Sequence, residues 1–194
     1  MRTSALTVMH VIRRCRGADE CETVRMPESL TFVSHDMVHF GDYYTWVDLK
    51  YFAIQPEASD VSLLTSLIAH TQYHDHYAGQ DPTEQTHHSL HGPYRLDAIT
   101  PGVFQAVSVE AARDELRRWV ESWVVPEEDG PEIDARLTAE VLPKLAGDAI
   151  FRLPDIREGA EHDWGWVVGQ SGFHETVTID RAAEMLTLVV ASDD

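Results

Sequence analysis

Residues 173–191 read FHETVTIDRAAEMLTLVVA, and the class of fold follows from them. Phe173, Glu175, Val177 and Ile179 alternate with His174, Thr176 and Thr178, which is the two-residue period of a strand. Asp180–Ala183 supplies a turn, and Met185–Ala191 is a second run of apolar and β-branched residues. Two such runs across a short turn predict an antiparallel pair. The polar alternate face of the first run predicts a sheet with one side buried and the other wet or covered by a partner. Just upstream, Trp164–Val168 reads as a further strand, set off by the turn Gly169–Gly172.

Four segments near the N-terminus carry a similar signal: Thr7–Ile12, Leu30–Val33, Met37–Phe40 and Trp46–Ile54. Turn clusters at Arg16–Asp19 and Gly41–Asp42 separate them. Helical spacing occupies the middle of the chain. Ser59 or Asp60 can cap a helix carrying Leu63, Leu64, Leu67 and Ile68, which the pattern extends to about Tyr77. Ser108 opens a second helix, whose Val109, Ala112, Leu116, Trp119, Val120, Trp123 and Val124 form one apolar stripe. Pro131 suits the first turn of a third, through Ile133, Leu137, Val141 and Leu142, with Pro143 to kink or end it and Gly147 to stop it. Strands, then helices, then strands, with no βαβ alternation, predict one α+β domain over residues 1–194. Its expected form is an antiparallel β-sheet with about three helices packed on one face.

The chain has 194 residues, 43% of them hydrophobic and five of them Trp, enough apolar area for one core. Its net charge is −18, from 33 acidic and 15 basic residues. Residues 51–94 hold five acids and no Lys or Arg, and residues 126–194 hold sixteen acids against five bases. Such a field repels phosphate backbones and excludes a general nucleic-acid binder, whereas a basic protein partner is steered inward. No apolar run approaches the ~20 residues of a membrane span. The apolar opening segment 5–12 precedes Arg13, Arg14 and Arg16, the reverse of a secretory signal. A cytoplasmic protein without membrane partners is expected. Cys15 and Cys21 are then expected as free thiols, with a local bridge across their turn as the alternative.

Six of the eleven histidines, His70, His74, His76, His87, His88 and His91, fall within 22 residues. His70 and His74 are one helical turn apart, and His87 and His91 repeat the spacing. With Asp75, Asp81 or Glu84, the set His70, His74, His87 and His91 could supply the three or four converging ligands of a divalent transition metal. The plainer reading places His70 and His74 at the edge of an apolar stripe and the polar, non-periodic stretch Gln80–Pro93 in a long surface loop. The run from His70 to Gln80, HTQYHDHYAGQ, resembles the His-x-x-x-His-x-Gly-Gln metal helix of the damage-inducible four-helix-bundle metalloproteins, with three extra residues before Gly79 and Gln80. The resemblance implies a metal on His70 and His74. It covers eleven residues of an all-helical family, whereas the upstream residues here read as strands, so no membership follows from it.

Trp164 and Trp166 share one strand face, either as core or as aromatic anchors of a partner-binding surface in the acidic C-terminal third. The adjacent pairs His174-Glu175 and His162-Asp163 would face opposite ways on strands. Neither a Gly-x-Ser-x-Gly elbow nor a phosphate-cradling glycine loop is present. Two functions are therefore expected in order. The first is a non-enzymatic binding protein, such as an inhibitor, immunity or accessory factor, engaging a basic protein. The second is a metal-dependent enzyme, a hydrolase, built on the histidines of residues 70–91.

Overall fold

The computed structural model describes residues 11–15, 21–25, 30–41, 44–77, 89–123, 126–160 and 172–193. Its strands are β1 (Val11–Cys15), β2 (Cys21–Arg25), β3 (Leu30–His39), β4 (Thr45–Ile54), β5 (Leu90–His91), β6 (Tyr94–Arg95), β7 (Gln105–Ala106), β8 (Ala149–Leu153), β9 (His174–Asp180) and β10 (Met185–Asp193). The helices are α1 (Asp60–Ala69), α2 (Val109–Glu121), α3 (Gly130–Arg136) and the single turn α4 (Arg157–Ala160). The expected strand Trp164–Val168 lies outside the described residues.

An antiparallel six-stranded sheet, in the order β3-β4-β10-β9-β8-β7, organises the chain and bears out the α+β class. The β9–β10 hairpin read from residues 173–191 pairs from Met185 with Asp180 to Ala191 with His174. β10 also pairs along its whole length with β4, so strands from the first and last thirds of the chain lie side by side within the sheet. β1 and β2 form a separate two-stranded ladder that sets Cys15 opposite Cys21. The segments Leu30–Val33 and Met37–Phe40, expected as two strands, belong to one strand, β3. Its register slips between Phe32 and Ser34, a bulge that offsets the alternation on either side and so mimics a break in the sequence pattern.

The helices divide between the two faces of the sheet. On one face, Leu63, Leu64 and Leu67 of α1 pack on Phe52, Ile54, Val177, Ile179, Leu186, Leu188 and Val190. On the other, Ala112, Leu116 and Trp119 of α2 join Ile133, Leu137, Val141 and Leu142 over Val47, Leu49, Ile150 and Val189. A single covered face was the expectation. β10 shows why two are needed, since residues 186–192 are all buried and a strand buried on both sides reads as a continuous apolar run. The Thr176 and Thr178 side of β9, expected to be wet or covered by a partner, is buried by the chain itself. There Thr178 Oγ1 donates to the Lys144 carbonyl, 3.2 Å away.

The caps match the sequence reading. Ser59 Oγ accepts from the Ser62 N–H, and Ser108 Oγ from the Ala111 N–H. α1 stops at Ala69 and does not reach Tyr77, because His70 is extended (φ −79°, ψ 136°) and the next residues are held by tertiary partners described below. After α3 the helix widens into a π turn at Leu137–Val141 and tightens into a 3₁₀ turn at Leu142–Lys144. Pro143, which has no N–H to give, sits within that last turn. At Gly147 a Cβ would stand 2.5 Å from the Ile179 carbonyl oxygen and 2.9 Å from its carbon. Because both obstacles are backbone, Gly147→Ala is expected to destabilise the fold by about 1–3 kcal/mol. Urea unfolding measures it, and a loss under ~0.5 kcal/mol, the size of a neutral surface change, would show that the turn yields freely.

Candidate functional site

His70, His74 and His91, three of the four histidines expected to converge, each have partners of their own. His70 ends α1, where its Nδ1 accepts from the Gln72 N–H at 3.1 Å and its ring stands edge-on to Phe52 with centroids 5.1 Å apart. His74 Nε2 donates to the Ile68 carbonyl at 2.9 Å. His91 is fully buried on other partners. His87 lies outside the described residues, as do Trp164 and Trp166. Among the described residues no group of three or more His, Cys, Asp or Glu is placed to hold a metal ion. With α1 ending before His70, the spacing from His70 to His74 is not a helical turn, so the two rings do not share a helix face.

His91 belongs instead to a buried polar cluster. Its Nδ1 lies 2.5 Å from the Tyr73 carbonyl and its Nε2 2.7 Å from Glu175 Oε2, while Tyr73 Oη donates to Glu175 Oε1 at 2.9 Å. A carbonyl only accepts, so Nδ1 carries a proton, and a second proton is shared between Nε2 and the Glu175 carboxyl. The Tyr73 ring stacks on the imidazole at 3.7 Å with 8° between planes. Burial, and then the Glu175 charge, push the Tyr73 hydroxyl well above its ordinary range, so it stays a donor.

Beside this triad, Lys50 Nζ donates to the Gln72 carbonyl (3.0 Å) and to Asp75 Oδ2 (2.8 Å), and lies 3.2 Å from Asp48 Oδ2. Its ammonium also sits over the Tyr77 ring, 4.8 Å from the centroid. The two carboxyls respond in opposite directions. Burial raises Asp48 above its ordinary value, against the pull of Lys50 and His35. Burial also acts on Asp75, but there the Lys50 ammonium and the Tyr77 N–H outweigh it and the carboxyl is held low.

Strand register explains how the cluster assembles. Asp48 and Glu175 both sit opposite Val190, one on each side of β10, and Lys50 is two residues from Asp48 on the same face. The residues that answer them, Tyr73, Asp75, Tyr77 and His91, come from the segments after α1 and before β6. Tyr73, His91 and Glu175 are at most 1% exposed. The cluster therefore fastens these segments to the sheet. Sequence reasoning passed over Asp48 and Lys50 and weighed Glu175 only as the neighbour of His174, although charges at same-face positions in otherwise apolar strands are the signal that would have joined them.

Glu175 and His174 face opposite ways, as their strand positions require. His174 Nδ1 is 3.2 Å from Glu115 Oε1, and the other Glu115 oxygen is 3.3 Å from Arg152 Nη1. Arg152 Nη2 donates to Gln105 Oε1 at 2.7 Å. His174, Glu115 and Arg152 line an open pocket of about 320 Å³, together with Tyr94, Phe173, Leu153 and the Asp155–Arg157 pair. Burial alone would raise Glu115, but the His174 hydrogen bond and the Arg152 charge hold it below the usual range. Phe173 is shared by the two regions, packing edge-on against His91 at 5.7 Å and Tyr94 at 5.9 Å. It separates the pocket from the buried cluster.

The comparisons add no name to this geometry: no family model, no curated protein and no solved structure matches the chain. Among the described residues no helix is long and apolar enough to cross a membrane.

Proposed function

We propose that the chain is a non-enzymatic binding protein that receives an extended basic segment of a partner protein along β3. The observation that carries this reading is the outer edge of that strand. β3 closes one margin of the sheet, and among the described residues no strand pairs beyond it. The Phe40 N–H donates to the Thr45 carbonyl, and the register runs unbroken from His39 to Ser34. Val38, Asp36 and Ser34 therefore turn their backbone groups toward β4, while His39, Met37 and His35 turn theirs outward. Consistently, the His39 carbonyl accepts a hydrogen bond from Arg136.

Edge strands are commonly blunted by Lys or Pro, and residues 30–39 contain neither. The bulge bounds the regular strip at Ser34. Val33 and Met37 beside it are 53% and 41% exposed. Main-chain pairing would supply affinity for an added strand, and charge selects its composition. Exposed Glu132 and Glu140 act on Arg136, which ties them to the end of β3, and Glu127, Glu128 and Asp134 of the same segment of chain are exposed as well. A net charge of −18 favours a basic segment and opposes a second copy of the chain.

Met37→Pro tests the reading, because it removes an outward N–H without costing a bond to β4. The probes are ten-residue peptides alternating Val with Arg, and Val with Glu. The Arg peptide is expected to bind in a salt-sensitive manner, the Glu peptide not at all, and Met37→Pro to weaken binding about tenfold or more at unchanged stability. Unchanged affinity in Met37→Pro would count against the edge. Wild-type dimers that dissociate in this variant would make a second copy the occupant.

A further inference from the structure

We propose that the pocket between β8, β9 and α2 binds a small organic acid with a single carboxylate and an apolar body, on the scale of phenylacetate. This inference is independent of the β3 edge, since the two places share no residue.

Volume and lining both point to a small ligand. About 320 Å³ falls at the lower end of the ~300–1,000 Å³ of small-molecule sites. Pro93, Tyr94, Leu153, Pro154 and Phe173 supply the apolar part of the lining. Arg152, Arg157 and His174 supply its basic part, beside Glu115 and Asp155. In a chain with 33 acids and only 15 bases, two arginines and two acids on one concave surface make it locally balanced where the chain as a whole is strongly negative.

The Arg152 guanidinium is held in place before any ligand arrives. Glu115 takes Nη1 and Gln105 takes Nη2, and the buried Nε has no acceptor among the described residues. A planar fork of five N–H donors matches a carboxylate, and two of its nitrogens are already fixed in orientation. The charge count selects among anions. Glu115 and Asp155 offset the two arginines within the lining, so the site carries no more than one positive charge, and only when His174 is protonated. A monoanion suits that balance and a phosphate dianion does not. The aromatic rings of Tyr94 and Phe173 in the lining suit a flat apolar body.

Isothermal titration of the full chain with phenylacetate, 2-phenylethanol and phenyl phosphate tests the assignment. Phenylacetate is expected to bind with a dissociation constant of about 1 mM or tighter, and the alcohol and the phosphate at least about tenfold more weakly. Arg152→Gln should lower phenylacetate affinity about tenfold, and Arg157→Gln severalfold. Arg117→Gln, on the outer side of α2, should leave it unchanged. Arg157 is half-exposed and its variant is expected to fold, so the test stands even if loss of Arg152 unsettles Glu115. No binding of phenylacetate up to about 10 mM, equal binding of the alcohol, or tighter binding of the phosphate would each overturn the proposal. So would an affinity that neither arginine variant changes.

Discussion

Glu175→Ala is expected to lower the unfolding free energy by about 3–5 kcal/mol, the cost of leaving a buried charged partner uncompensated. Truncation removes the acceptor of both the His91 ring and the Tyr73 hydroxyl, and neither group has a route to water. Glu175→Gln separates this effect from simple packing. A glutamine can accept from Tyr73 through its oxygen and donate from its amide to a neutral His91 Nε2, so its cost should fall to about 1 kcal/mol. Urea unfolding followed by Trp fluorescence reads both variants. Equal losses in the two would show that volume, and not the shared proton, holds the cluster together. A typical domain has only ~5–15 kcal/mol of stability to lose, so Glu175→Ala should also melt at a markedly lower temperature.

Lys50→Met should be nearly as costly at neutral pH, again about 3–5 kcal/mol, because it leaves Asp48 buried without the Lys50 ammonium. The Lys50 and Asp48 side chains are 5% and 1% exposed, whereas Asp75 opens partly to solvent and suffers less. The deficit should depend on pH. In the native protein Asp75 is held below its ordinary value of 3.8, so its contribution is present above that value and is lost as pH falls through the lowered one. Asp48 is raised, so it opposes folding as pH climbs above 3.8 toward its folded value. Without Lys50 both carboxyls move upward and fold most easily when protonated. The gap between wild type and Lys50→Met is therefore expected to be widest near pH 7 and to narrow as pH falls through about 4. A gap constant across that range would mean that Lys50 contributes through its aliphatic stem and not its charge.

Much of the scaffold was legible because it rests on local periodicity. The alternation in residues 173–179, the apolar run of β10, the caps at Ser59 and Ser108 and the stop near Pro143 all depend on neighbours a few residues away. The segment after α1 failed by the same logic. Residues 70–77 carry a pattern that can continue a helix, but Tyr73 is claimed by Glu175, 102 positions away, and Asp75 by Lys50. Those bonds outweigh a weak local preference. The histidine set rests on nearness in sequence, and its described members His70, His74 and His91 have different hydrogen-bond partners. Of its described members, His91 enters the buried polar cluster at Glu175.

Composition and pattern alone determined an acidic α+β protein with an antiparallel sheet, because charge is a sum over residues and strand or helix period is a local property. Which residues meet was settled by the sheet order. Pairing of β4 and β9 on either side of β10 sets Asp48 and Glu175 across Val190, and the alternation of β9 sends Glu175 to the buried cluster and His174 to the open pocket. The alternation and the hairpin are local, but the pairing of β4 with β10 joins residues more than a hundred positions apart, and no local window of the sequence encodes it.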